Sequence, residues 1–198
     1  MKWFTSDLHF SHRNIVRFTN RGRDTSQDSH DMWLVNLLNS FVRPEDTLYH
    51  LGDFSFARDK RDTRAIVDDL HCNDIRLFKG NHDRFEDLLW LKQECSNVTR
   101  VKDYEEIRIG DKSVVLFHFP IASWHKQGHG SWHLHGHCHG NLKPEFSQGK
   151  VLDVGLDNAF NLYGVHRPFA EEDIVRYMEN RDVRINDHHK DYTNANHS

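Results

Sequence analysis

Five short polar clusters in the chain contain the side chains that most often bind divalent metal ions. Acidic residues offer carboxylate oxygens, an asparagine offers an amide oxygen, and histidines offer imidazole nitrogens. Such a mixed set suits Mn, Fe, Zn or Ni better than a closed structural zinc site. Seven ligands are too many for one tetrahedral ion, but they suit two adjacent ions that keep positions open for water and substrate. The candidate ligands are Asp7, His9, Asp53, Asn81, His118, His137 and His139.

Each cluster follows an apolar segment whose composition is typical of a β-strand. The segments that precede the clusters are KWFTS, TLYHL, DIRLFKG, VVLF and WHL. In open α/β sheets, ligands bind at the carboxyl ends of the strands. We therefore predict that all five clusters converge on one site.

The elements that must position these clusters alternate in the first half of the chain. Apolar residues recur at helical spacing in residues 26–42, and shorter helices are predicted at 13–20, 60–71, 84–95 and 171–179. A hairpin that turns at Gly110-Asp111 begins a run of strands. This order predicts an α/β (α+β-like) fold with mixed sheets covered by helices. We expect a single domain over residues 1–180 and a polar C-terminal tail over 181–198.

The composition agrees with one globular domain and excludes several classes of protein. The chain has 198 residues, 37% of them hydrophobic, and a net charge of −4, which disfavours a generally basic surface that coats nucleic acid. Its 3 cysteines include no CxxC pair, so we expect a reducing, cytoplasmic environment. No signal-peptide pattern and no apolar run of membrane-spanning length occur, so we expect no membrane partner. The oligomeric state is left open.

The ordered series DxH, GD, GNHD, a lone His and GHxH resembles the calcineurin-like metallophosphoesterase superfamily. The resemblance extends from Asp7 to His139. Each motif alone is weak, whereas the ordered set of five is specific. The fold that the resemblance implies is a sandwich of two mixed β-sheets flanked by helices.

The resemblance also implies a role for each residue that matches these motifs. One divalent ion would be bound by Asp7, His9 and His139, and the other by Asn81, His118 and His137. Asp53 would bridge the two ions, which could be Mn, Fe, Zn or Ni, with Mn favoured. His82 would be a catalytic acid or a transition-state stabiliser, oriented by Asp83.

The activity that the resemblance implies is hydrolysis of phosphate esters by in-line attack of a metal-bound hydroxide. The chain has no long insertion to build a cap over the site, so phosphodiesters, including nucleotides and nucleic-acid ends, are favoured as substrates. One alternative is a phosphomonoesterase acting on nucleotides or proteins. Another is a catalytically silent metal-binding scaffold of the same fold, and a third is a nucleic-acid-binding protein without catalysis, which the acidic balance disfavours.

Two positions depart from the pattern of many superfamily members. Phe56 stands three residues after the GD aspartate, where many members carry a charged or amide residue, and Phe117 stands where many have glycine. Arg58 is a candidate to replace the missing polar group. The candidate substrate contacts, chosen because they lie near the motif loops, are His12, Arg13, Asn14, Arg58 and Arg84. We do not expect His133 or His135 to be ligands.

Overall fold

The computed structural model describes residues 1–19, 21 and 27–184, with the backbone alone at 27–29. Its strands are β1 (Lys2–Thr5), β2 (Thr47–His50), β3 (Asp74–Phe78), β4 (Val98–Lys102), β5 (Tyr104–Ile109), β6 (Lys112–Phe117), β7 (Trp132–His135), β8 (Val151–Asp153) and β9 (Phe169–Ala170). Its α-helices are α1 (Ile15–Phe18), α2 (Gln27–Phe41), α3 (Lys60–Asp68), α4 (Phe85–Glu94), α5 (Leu156–Tyr163) and α6 (Glu171–Glu179).

The strands form two mixed sheets. The first sheet has the order β4-β3-β2-β1-β9, in which β1 to β4 are parallel and β9 is antiparallel. The second has the order β5-β6-β7-β8, in which the β5–β6 hairpin is antiparallel and β6, β7 and β8 are parallel. Each sheet therefore presents the carboxyl ends of neighbouring parallel strands along one edge.

The first sheet is buried on both faces because its strands are apolar at consecutive positions. Successive side chains of a strand point to opposite faces. Leu48 accordingly packs in the cluster that includes the helical residues Leu34 and Leu88, whereas Tyr49 packs in the cluster that includes Leu116 and Leu134 of the second sheet. The second cluster also contains residues of α5 and α6, which cover the sandwich.

This architecture confirms the predicted fold class, two mixed sheets packed together and flanked by helices. The predicted helix at 13–20 is wrong in length, because within the described residues 13–19 only Ile15–Phe18 are helical. The sequence reasoning missed three elements, β4, α5 and β9. Of these, α5 bears directly on the site, because it carries Asp157, which bonds His139.

The described part of the chain extends past the predicted domain boundary at residue 180, to residue 184. Arg181 donates hydrogen bonds to the carbonyl oxygens of Ser147 and Gly149, and Arg184 donates to Gln148 Oε1 at 2.7 Å. The chain is therefore held to the domain a few residues beyond 180, and the rest of the predicted tail lies outside the described residues. Among the residues described, no helix is long and apolar enough to cross a membrane.

Candidate metal centre

The predicted ligands follow five parallel strands at their carboxyl ends. Asp7, Asp53 and Asn81 come two to three residues after β1, β2 and β3. His118 comes one residue after β6, and His137 comes two after β7. Because the two sheets pack face to face, these edges meet, and the polar side chains of both sheets gather at one place.

The backbone that carries these ligands is mostly left-handed. Positive φ angles occur at Asp7 (54°), His9 (53°), Asp53 (59°), His137 (70°) and His139 (48°). These are five of the seven non-glycine residues with positive φ in the part of the chain that the structure describes. Such angles are uncommon outside glycine, although Asp and His tolerate them better than most residues. Backbone strain of this kind concentrates at functional sites.

One ligand group consists of Asp7, His9 and His139. A ligand atom from each lies within 4.8 Å of the others. The two imidazoles stack, with Nε2 of His9 lying 3.2 Å from Nε2 of His139, and each of these nitrogens lies 3.9 Å from Asp7 Oδ1. Three ligand atoms thus face a common centre without forming strong bonds to one another.

A second ligand group contains Asn81, His118 and His137. The Asn81 amide oxygen lies 2.9 Å from His118 Nε2 and 2.8 Å from His137 Nδ1. His118 Nδ1 lies 2.8 Å from the carbonyl oxygen of Leu51, so it donates there and leaves Nε2 as the free acceptor. That tautomer is the one that a metal ligand requires.

Asp53 lies between the two groups. Its Oδ2 atom is 3.9 Å from His9 Nε2 and 3.6 Å from His118 Nε2. Asp7 also reaches both sides, because Asp7, Asp53 and His118 form a further set of ligand atoms within 4.8 Å of one another. Two carboxylates, rather than one, are therefore available to span a pair of ions.

Two of the motif glycines are required by close approach of the backbone to a ligand. A Cβ atom on Gly80 would lie 2.1 Å from Asp53 Oδ1, and one on Gly136 would lie 2.5 Å from Asp7 Oδ2. No side chain fits at these distances. The glycines therefore let the GNHD and GHxH loops close onto the two carboxylates.

The buried polar atoms of the site fit a bound cation. Asp7 is fully buried, and its Oδ1 atom has no hydrogen-bond partner among the described residues, whereas Oδ2 accepts bonds from Ser6 Oγ and the backbone N–H of His137. Buried polar atoms are almost always paired. Burial, together with the nearby Asp153 carboxylate, raises the pKa of Asp7 to about 7. Burial lowers the pKa of His9 to about 2, so this imidazole is neutral and able to coordinate.

A buried ion pair supports His139 from behind, and the sequence reasoning missed it. Asp157 Oδ2 lies 2.6 Å from His139 Nδ1, and the same carboxylate accepts bonds from Arg21 Nε (2.9 Å) and Nη2 (2.7 Å). Arg21 also donates to the carbonyl oxygens of Asp7 and Leu8. One feature of the sequence could have indicated this support: Asp157 lies two residues after Gly155, in the first turn of α5, a helix that was not predicted.

The predicted catalytic residue His82 lies at the mouth of the site. Its backbone N–H donates to Asp53 Oδ1 at 2.8 Å, and its exposed ring lies 5.9 Å from the ring of His9 and 4.6 Å from that of Phe56. Asp83 does not take the expected position beside this ring. Its carboxylate instead accepts bonds from the backbone N–H groups of Gly80, Asp53 and Phe54. Asp83 therefore joins the GD and GNHD loops.

The five candidate substrate contacts differ in how close they lie to the site. His12 packs edge-on against Phe56 at 4.3 Å and lies 5.7 Å from the His9 ring, and Arg84 lines a pocket with His82. Arg13, Asn14 and Arg58 are exposed side chains. The structure thus brings His12 and Arg84 to the site, and the binding role of all five residues stays a prediction.

The two histidines that precede the GHxH motif are buried in the second sheet. His133 lies near the carbonyl oxygens of Val115 (3.3 Å) and Phe119 (3.2 Å), and His135 lies near that of Gly136 (2.8 Å). Burial lowers the pKa of His133 to about 3. These contacts are those of hydrogen-bonded core residues in β7, the strand that precedes the GHxH motif.

Comparison with solved structures supports the fold. The protein of unknown function AQ665 from Aquifex aeolicus matches with a TM-score of 0.66 and 24% identity, over 89% of this chain and 98% of that chain. Weaker matches include YfcE, described as a phosphoesterase from E. coli (TM-score 0.44), and an archaeal phosphodiesterase (TM-score 0.45), each covering 78% of this chain. The weaker two overlap too loosely to bear on the chemistry of this chain.

Sequence relatives extend over most of the chain, whereas no protein-family model matches it. Uncharacterized protein MJ1445 of Methanocaldococcus jannaschii is 28% identical over 191 residues, which cover 93% of this chain and 96% of that protein. The gene 66 protein of Mycobacterium phage D29 is 31% identical over 184 residues, which cover 78% of this chain and 87% of that protein. The gene 66 protein of Mycobacterium phage L5 is 30% identical with similar coverage. The chain therefore belongs to the same family as the gene 66 proteins of these two mycobacteriophages.

Proposed function

We propose that this protein is a phosphoesterase of the calcineurin-like superfamily that depends on two divalent metal ions. The observation that carries the proposal is the gathering of ligand atoms at two buried carboxylates: His9, His118 and His139 come close to Asp7 or Asp53, and Asn81 contacts both His118 and His137. The buried Oδ1 atom of Asp7 has no hydrogen-bond partner among the described residues. The order of these ligands along the chain is that of the superfamily motifs. Asp7, His9 and His139 would hold one ion, Asn81, His118 and His137 would hold the other, and Asp53 would lie between them.

The bound ions would supply Lewis acidity toward the phosphoryl oxygens and a water nucleophile that is ionised near neutral pH. The chain's own residues position the remaining parts. Asp53 holds the backbone of His82 through Oδ1, which presents the imidazole at the mouth of the site. An imidazole there can donate a proton to the leaving oxygen and offset charge that develops on the phosphoryl group. The ring of Phe56 packs against one side of the His82 ring.

The surroundings of the site favour a phosphodiester over a monoester. A pocket of about 160 Å³ is lined in part by His82, and a second of about 190 Å³ is lined in part by His139 and Asp157. The His9 ring lies between the two histidines, 5.9 Å from His82 and 5.0 Å from His139. A diester carries two organic groups and needs room for both, whereas a monoester needs room for one. Cyclic nucleotides, dinucleotides and the internucleotide linkages at nucleic-acid ends belong to the first class.

The cellular setting that we propose is the cytoplasm, without a membrane partner. Cys72, Cys95 and Cys138 are unpaired. Free thiols of this kind are typical of a reducing compartment.

The test is reconstitution followed by a substrate screen. Protein stripped with a chelator would be loaded with Mn²⁺, Fe²⁺, Zn²⁺ or Ni²⁺ and assayed on bis(p-nitrophenyl) phosphate, p-nitrophenyl phosphate, cyclic nucleotides, dinucleotides and nucleic-acid ends. We expect metal-dependent hydrolysis of diesters, and faster hydrolysis of monoesters alone would favour the phosphomonoesterase alternative. Inactivity on every substrate despite two bound ions would support the scaffold.

The bridging position is tested by Asp53→Asn. We expect this variant to lose at least one ion per chain and most of its turnover, because an amide offers only one neutral oxygen. A matched control is Asp46→Asn, a buried carboxylate that bonds Trp3 and the N-terminal amine. If Asp53→Asn keeps both its metal stoichiometry and its turnover, the assignment is wrong.

A further inference from the structure

The pocket beside His82 contains none of the candidate metal ligands, so the metal centre leaves its role open. It lies between the GD loop, α3 and α4, and its inner wall is made of Phe54, Leu88 and Leu91, all almost fully buried. Phe56 and His82 line its side toward the metal ligands. The pocket thus joins an apolar interior to the residue proposed to protonate the leaving group.

Three of the polar side chains that line this pocket already have hydrogen-bond partners in the protein. Thr63 Oγ1 donates to Ser55 Oγ at 3.0 Å, and Ser55 Oγ also accepts from the backbone N–H of Ala57. The Asp83 carboxylate accepts its three backbone bonds. The hydroxyl and carboxylate groups next to the apolar wall are therefore satisfied, and this inner part of the pocket suits an apolar ligand group better than a sugar or a peptide.

The charged residues at the rim are also paired. The ammonium group of Lys60 lies 4.5 Å from the centre of the Trp90 ring, and the Arg84 guanidinium lies 3.7 Å from the Asp87 carboxylate. Each of these two charges therefore already has a partner in the protein. The rim thus adds no strong demand for a charged ligand.

Phe56 gives the pocket an aromatic entrance. Its ring lies 4.6 Å from His82, 4.3 Å from His12 and 5.0 Å from His9, so three imidazoles surround it. Aromatic rings pack well edge-on or offset against other rings at such distances. A planar group that enters beside Phe56 would gain both ring contacts and burial against the apolar wall.

We propose that this pocket is a subsite for a planar aromatic leaving group, such as a nucleobase-sized or aryl ring, on the phosphate ester. The proposal rests on the proposed function, since it places the phosphoryl group at the metal centre and the departing oxygen beside His82. The second pocket, beside His139, would then receive the group that stays on phosphorus.

The test compares two phosphonates that differ only in the group to be buried. Phenylphosphonate and methylphosphonate are titrated calorimetrically into the full-length, Mn²⁺-loaded protein, and hydrolysis of bis(p-nitrophenyl) phosphate is measured on the same preparation. We expect phenylphosphonate to bind roughly tenfold more tightly or better, because an aromatic ring leaves water. Equal affinities with hydrolysis intact overturn the subsite alone. Absence of both phosphonate binding and hydrolysis overturns the proposed function and the subsite with it.

Substitutions then test whether the phenyl ring of phenylphosphonate binds in this pocket. Ala57→Trp fills the pocket from its rim, and the ratio of the two affinities should fall to about one. Ala65→Trp, on an exposed position of α3, is the matched control and should keep the wild-type ratio. If phenylphosphonate still binds Ala57→Trp much more tightly than methylphosphonate does, the assignment of this pocket as the aromatic subsite is wrong. If Ala57→Trp does not fold, Phe56→Ala decides in its place, because loss of the entrance ring should lower the ratio and an unchanged ratio overturns the proposal.

Discussion

Asp157 and His139 are joined by a hydrogen bond of 2.6 Å that connects α5 to the metal centre. Because the carboxylate accepts from Nδ1, the imidazole presents Nε2 toward Asp7 and His9. Burial acts to raise the pKa of Asp157, but the hydrogen bonds from His139 and Arg21 hold it well below its usual value. The carboxylate is therefore ionised and fixes both the tautomer and the orientation of a ligand.

Asp157→Asn should weaken metal binding. Loss of a carboxylate behind a ligating imidazole typically costs 10- to 100-fold in affinity. The same change leaves the buried Arg21 guanidinium without its counter-charge, so thermal stability should also fall. Asp46→Asn separates the two effects, since it removes the ion pair between a buried carboxylate and the partly exposed N-terminal amine, away from the ligands, and should lower stability alone. Calorimetric titration with Mn²⁺ measures the affinity, and an unchanged value in Asp157→Asn would contradict the positioning role.

Asp7→Asn should have opposite effects on stability and on metal binding. Burial raises the pKa of Asp7 from 3.8 to about 7, so at pH 8 the metal-free protein carries a charge that burial disfavours. Between these two pKa values the folded state binds a proton that the unfolded state lacks, so this group makes the protein less stable as pH rises from about 4 to 7. The neutral amide avoids the cost, and the metal-free variant should be more stable than wild type at pH 8 by a few kcal/mol, on the order expected for such a shift.

The measurement is denaturant unfolding in a chelator at pH 8 and at pH 5, together with metal stoichiometry. The stability gain should shrink at pH 5, where the wild-type carboxyl is protonated in the folded state. Metal binding should be lost at both pH values. If the metal-free variant is less stable than wild type at pH 8, the buried Asp7 charge does not destabilise the metal-free protein, and this prediction is wrong.

Gly136→Ala should displace the Asp7 carboxylate. The new Cβ would lie 2.5 Å from both Asp7 Oδ2 and Ser6 Oγ, so the GHxH loop or the carboxylate must move. We expect loss of metal stoichiometry and a clear fall in melting temperature. Gly110→Ala is the control, because its φ of 56° costs about 1 kcal/mol while its Cβ meets no atom within 4 Å. Full metal occupancy in Gly136→Ala would show that the close approach is dispensable.

His133 should contribute to loss of stability in acid. Burial lowers its pKa from 6.5 to about 3, so between these values the unfolded chain binds a proton that the folded chain does not. Stability from this group is present above pH 6.5 and is lost as pH falls toward 3, at about 1.4 kcal/mol per pH unit. His133→Gln should therefore give a shallower decline between pH 6 and 4 in metal-free denaturant unfolding. Parallel curves for wild type and variant would contradict this assignment.

The sequence by itself determined the candidate ligands and the strand ends at which they lie. Asp7, Asp53 and Asn81 each follow an apolar segment, and a short apolar segment followed by a turn is a local pattern visible in one chain. The order of the five clusters then selected a two-sheet fold, which the structure shows. Gly80 and Gly136 stand beside Asn81 and His137 in the sequence, whereas the carboxylates that they accommodate, Asp53 and Asp7, come from distant loops.

Only the tertiary structure decided what supports the ligands and what surrounds the substrate. Arg21 and Asp157 are 136 positions apart in the chain, and their pairing behind His139 depends on how α5 packs against the first sheet's loops. Asp83 was predicted to orient His82, but loop closure instead places its carboxylate on three backbone N–H groups. Phe56 looked like a departure from a pattern and stands among three imidazoles. Local periodicity reports which segments form strands and helices, whereas contacts between distant segments follow from the packing of the two sheets.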